Sequence, residues 1–103
     1  MLCLKENVNC PRRMVLYAVF DVLDRMGCPY EQITAGDIKA EANVLGHVSM
    51  YAFAVTEETD STSILHVSML RPSEDLTENG KHLAVRALMD CVLRHIHEVQ
   101  TSE

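Results

Sequence analysis

Between Leu45 and Leu70 apolar residues alternate with polar or small ones on both sides of an extended chain, and this pattern constrains the fold more than any other. Val48, Met50, Ala52 and Ala54 fall on one side, and His47, Ser49, Tyr51, Phe53 and Val55 on the other. The return stretch places Leu65, Val67 and Met69 on one side and Ile64, His66, Ser68 and Leu70 opposite. The polar run Glu57–Thr62 between them reads as a hairpin turn, and a turn centred near Thr59-Asp60 sets His66 opposite Phe53. Such a hairpin needs cover on two faces. The rest of the chain offers two good helices, so a surface is left for a partner.

The first helix is well punctuated. Asn9-Cys10-Pro11 predicts its start, with proline at the first helical position, and Gly27 followed by Pro29 predicts its end, so the helix spans Pro11–Met26. Val15, Leu16, Val19, Phe20, Val22, Leu23 and Met26 fill an apolar arc of roughly 200°, wider than one sheet face requires. The helix is therefore expected to touch a second surface. A last helix begins between Ser73 and Glu78 and runs to about Val99, burying Val85, Leu88, Met89, Val92, Leu93, Ile96 and Val99.

Between the first helix and the hairpin the pattern is weaker. Residues 30–44 read as one strand, broken or bulged near Gly36-Asp37, with a helix through Ala40-Glu41-Ala42 as the alternative. Lys39 and Glu41 suit an edge strand. Residues 1–10 read as a lead-in segment, irregular or a short edge strand, and residues 100–103 as a frayed tail. The 103 residues thus predict a single α+β domain. It is a two-layer sandwich ordered helix–three antiparallel strands–helix, with both helices on one sheet face. Ala52 and Ala54 are expected beneath the helices, since small residues let helices sit close. Tyr51, Phe53, Val55, Ile64 and Leu70 are then left on the open face as interface anchors.

The net charge of −6 is unevenly spread: residues 1–30 balance to +1 and residues 31–80 to −7. Glu57, Glu58, Asp60, Glu74 and Asp75 form an acidic patch, which repels phosphate backbones and attracts a basic partner. The predicted element order resembles that of double-stranded-RNA-binding domains, which start the last helix with a lysine-rich stretch on phosphates. Here that stretch reads Glu78-Asn79-Gly80-Lys81-His82, which is poor phosphate-binding chemistry, so no direct nucleic-acid binding is expected. No apolar run approaches the roughly 20 residues that cross a bilayer, so no membrane partner is expected. With no secretory signal at the start, the expected location is cytoplasmic.

Chemistry-bearing motifs are scarce. The cysteines at 3, 10, 28 and 91 form no Cys-x-x-Cys pair and read as free thiols. His95 and His97 point about 200° apart on a helix and cannot share a metal. His47, His66 and His82 stand apart, and no carboxylate pair, Ser-His-Asp arrangement or glycine-rich phosphate loop stands out. No catalytic residue, cofactor or metal is assigned. The chain reads first as a non-enzymatic protein–protein interaction module (adaptor, chaperone-like or inhibitor), homodimeric through its open sheet face. One alternative is a small apolar-ligand-binding protein with a pocket between sheet and helices near Met50, Met69 and Met89. Another is an acidic inhibitor that mimics nucleic acid.

Overall fold

The computed structural model describes residues 2–34 and 37–101. The elements are β1 (Cys3–Val8), α1 (Arg12–Met26), β2 (Tyr30–Thr34), β3 (Asp37–Val44), β4 (His47–Thr59), β5 (Thr62–Arg71) and α2 (Glu78–Thr101). The strands form one five-stranded antiparallel sheet in the order β1-β5-β4-β3-β2, and both helices pack on one of its faces. The α+β class with two helices on one face holds, but the strand count rises from three to five. The lead-in is an edge strand, with Cys3 opposite Ser68 and Val8 opposite Ser63. Residues 30–44 are two strands rather than one, and Ala40–Ala42 is extended, not helical. Gly36, where a break or bulge is expected, lies outside the described residues, as do Ser102 and Glu103 of the expected tail. Gln100 and Thr101 are helical.

Local signals account for α1. Pro11 is the N-cap rather than the first helical residue, so α1 begins one position later than expected, and the Pro11 carbonyl accepts from the amides of Met14 (3.0 Å) and Val15 (3.3 Å). At the other end Gly27 adopts φ 69°, with its amide on the Asp24 carbonyl and that of Cys28 on Leu23, which closes a Schellman turn. Between β3 and β4 the two-residue turn Leu45-Gly46 has φ 55° and 86°, the left-handed pair a tight hairpin demands. Leu45 is not in β4 at all.

The largest correction concerns which sheet face is covered. Tyr51, Phe53 and Val55 are buried beneath the helices together with Leu65, Val67 and Met69. Ala52 and Ala54 lie on the uncovered face with Ile64, His66 and Ser68. The cause is one extra residue. A two-residue turn at Asp60-Ser61 sets Thr59 opposite Thr62, but Glu57 pairs with Ser63, so Glu58 is bulged out of the ladder. An unbulged ladder from this turn would set Phe53 opposite Ser68, on the same face as the expected His66; the insertion sets it opposite Val67 and so inverts the facing of β5. A second bulge at Leu70 lies at the far end, where Tyr51 pairs with Met69 and Met50 with Arg71.

Large aromatic and aliphatic side chains at the sheet centre thus fill the space under the helices, against Val15, Val19, Leu23, Val85, Leu88 and Met89. The small residues that let a helix approach closely are Ala40 and Ala42 of β3, both buried. Ser63, also buried, donates to the Cys10 carbonyl at 2.7 Å and ties β5 to the entry of α1. Among the described residues no helix is long and apolar enough to cross a membrane.

Candidate functional site

The residues expected to form an open patch do not meet. Tyr51, Phe53 and Val55 are core, whereas Ile64 and Leu70 belong to the uncovered face, Ile64 half-buried and Leu70 exposed in its bulge. Three of the five expected interface anchors are therefore unavailable to a partner. The acidic set also divides. Glu57, Glu58 and Asp60 sit at the β4–β5 tip, while Glu74 and Asp75 sit beside the start of β4, roughly 30 Å away by strand rise. The three methionines scatter too: Met69 and Met89 are buried and Met50 lies on the uncovered face.

A different hollow answers the excess apolar width of α1. On the flank that looks towards β2, Leu16 and Phe20 are only half-buried, because α1 does not cover this edge strand and all of β2 is exposed. The result is a groove of about 530 Å³. Leu16, Tyr17 and Phe20 form its apolar wall, Gln32 stands across from them, and Arg12, Arg13 and Glu57 edge one end. At the other end the Phe20 and Tyr30 rings tilt together with centroids 5.5 Å apart. The Tyr30 hydroxyl donates to Asp24 at 2.9 Å, tying β2 to α1, and this bond to a carboxylate raises the Tyr30 pKa. Arg12 Nε donates to the Val55 carbonyl at 3.0 Å, one residue past the last described β3–β4 pair, Asp37 with Ala54. The guanidinium is thus anchored at the sheet end rather than loose in solvent.

Other polar features are more dispersed. Between α1 and α2 lies a smaller apolar hollow of about 150 Å³, walled by Met14, Ala18, Ile96 and Val99. His95, buried at its edge, sets Nε2 3.2 Å from Asp21 Oδ2, and its Nδ1 has no partner among the described residues. The Tyr51 hydroxyl is buried as well. It points towards Ser49, whose Oγ already accepts from the Ser73 amide at 2.9 Å, and it finds no partner within hydrogen-bonding distance. Burial pushes the Tyr51 phenol pKa up.

Near the start of β4, His47 Nδ1 lies 3.0 Å from Asp75, which also accepts from the Ser73 hydroxyl. This serine bonds the carboxylate and not the imidazole, so no nucleophile–base–acid relay is built. Among the described residues no three His, Cys, Asp or Glu side chains gather to hold a metal, and all four cysteines are free.

No family model and no curated protein matches the sequence. Solved structures match in fold. One is the adenylate sensor from AMP-activated protein kinase, in complex with 5-aminoimidazole-4-carboxamide 1-β-D-ribofuranotide. It is 15% identical, covers 86% of this chain and 94% of that one, and has a TM-score of 0.65. A START superfamily protein from Mycobacterium smegmatis is 9% identical over 95% of this chain and 97% of that one, with a TM-score of 0.59. A conserved protein from Geobacillus kaustophilus is 11% identical over 91% and 90%, with a TM-score of 0.55. At these identities the likeness is one of architecture: a START-like antiparallel sheet carrying helices on one face.

Proposed function

We propose that this protein binds a small apolar ligand in the groove between α1 and the β2 side of the sheet. The observation that carries the reading is the groove itself, whose about 530 Å³ lies within the ~300–1,000 Å³ of ligand sites. Leu16 and Phe20 give it an apolar wall that no element among the described residues covers fully. The likeness in fold to a START superfamily protein supports the reading, since apolar-ligand binding is common in that superfamily. The site differs from the expected one, because the space between sheet and helices near Met69 and Met89 is occupied by side chains. Binding rather than catalysis is proposed, as the described residues that line the groove offer two guanidiniums and one carboxylate.

The test is a titration with the neutral fluorescent probe N-phenyl-1-naphthylamine. Saturable one-to-one binding is expected, weakened at least tenfold in Leu16→Asp, while Met14→Asp in the inter-helix hollow binds as wild type does. Far-ultraviolet circular dichroism confirms that both variants are folded. Binding lost in Met14→Asp and retained in Leu16→Asp would move the site to the hollow beside His95, and the absence of saturable binding would refute the reading.

A further inference from the structure

The two arginines at the groove end stand where helix stability disfavours them. They occupy the first turn of α1, which holds no acidic side chain and whose cap, Pro11, supplies no side-chain acceptor. Cations there face the positive end of the helix dipole, and local helix physics would place Asp or Glu instead. The surroundings sharpen the point. The chain carries a net charge of −6, yet the groove is lined by two cations against one carboxylate.

Nor do Arg13 and Glu57 neutralise one another. Arg13 and Glu57 make no hydrogen bond or ion pair among the described residues, although both line the groove. Arg12 is held by the Val55 carbonyl through Nε, which leaves its position fixed before any ligand arrives. The exposed Arg13 guanidinium fork is matched to carboxylate or phosphate oxygens, and Arg12 adds positive charge beside it.

We infer that the ligand of this groove is an amphipathic anion: an acidic group held by Arg13 beside the anchored Arg12, and an apolar body lying along Leu16 and Phe20. Its size follows from α1. Arg13 and Phe20 are seven residues apart, about 10 Å at the helical rise, which suits a medium-chain carboxylate. This rests on the groove reading above and adds the chemistry of the ligand to it.

Displacement of N-phenyl-1-naphthylamine separates the two ideas, using sodium octanoate and 1-octanol as competitors of equal carbon number. Octanoate is expected to displace the probe at least tenfold more effectively than 1-octanol. Arg13→Gln should abolish that preference and leave 1-octanol unchanged, and salt should shrink it in wild type. Arg13 is exposed, so its substitution spares the core. Equal displacement by the two competitors, or a preference unchanged in Arg13→Gln, overturns the anionic assignment while the groove reading stands. Failure of the probe to bind wild type overturns both.

Discussion

In the loop before α2, Asp75 accepts from the Ser73 hydroxyl of the same loop and from the ring of His47 at the start of β4. The Ser73 bond first, and the histidine next, hold its carboxyl below the usual aspartate range. A group whose pKa is depressed by folding contributes stability above its unfolded value, near 3.9, and loses that contribution as pH falls through the folded value. The carboxylate is exposed, so water screens the effect. Asp75→Asn is expected to lower the urea midpoint at neutral pH, with the gap to wild type closing as the pH drops below about 3.9. A gap of constant size down to strongly acidic pH would show that the carboxylate charge has no part in it. None of this pairing was visible in the sequence, because His47 and Asp75 are far apart along the chain and meet only where β5 runs back past the start of β4.

At the scale of elements, the bulge at Glu58 decides which side chains enter the core. Hairpin tips ordinarily tolerate changes of length. Here the deletion of Glu58 would join the Asp60-Ser61 turn to an unbroken ladder and drive Leu65 and Val67 to the uncovered face. Loss of cooperative folding is expected for the deletion, whereas Glu58→Ala, which keeps the count, should unfold within about 0.5 kcal/mol of wild type. A cooperative urea transition of near-native midpoint in the deletion variant would refute this account.

The helices were legible from Gly27, Pro29 and the Val85–Ile96 stripe, since caps and a 3.6-residue period are written locally. Strand facing was not, because a bulge carries no composition of its own and Glu58 looks like any polar turn residue. The Leu45-Gly46 turn was hidden for a related reason: leucine seldom takes a left-handed φ and here extends an apolar run. The width of the α1 apolar arc did announce a second surface. Its nature emerged only once residues 30–44 proved to be two strands and left Leu16 and Phe20 beside an uncovered β2.

In the whole molecule, β2 to β5 form a meander in which every strand pairs with its neighbour in sequence, and β1 alone crosses the domain to reach β5. The shortest link in that pairing, Val8 with Ser63, closes a loop of about 55 residues, against the two-residue turns at Leu45-Gly46 and Asp60-Ser61. Closing a long loop costs more entropy than closing a short one, so contacts of this kind form late. The strand that comes first in the chain is therefore the last to be secured. In pulse-labelled refolding, amides of β1 are expected to gain protection after those of β4 and β5, and simultaneous protection would rule this order out. Until β1 arrives, β5 is itself an edge, with its unpaired backbone groups open to strands of other molecules. The interval before β1 docks is thus the time in folding when the chain is most open to aggregation.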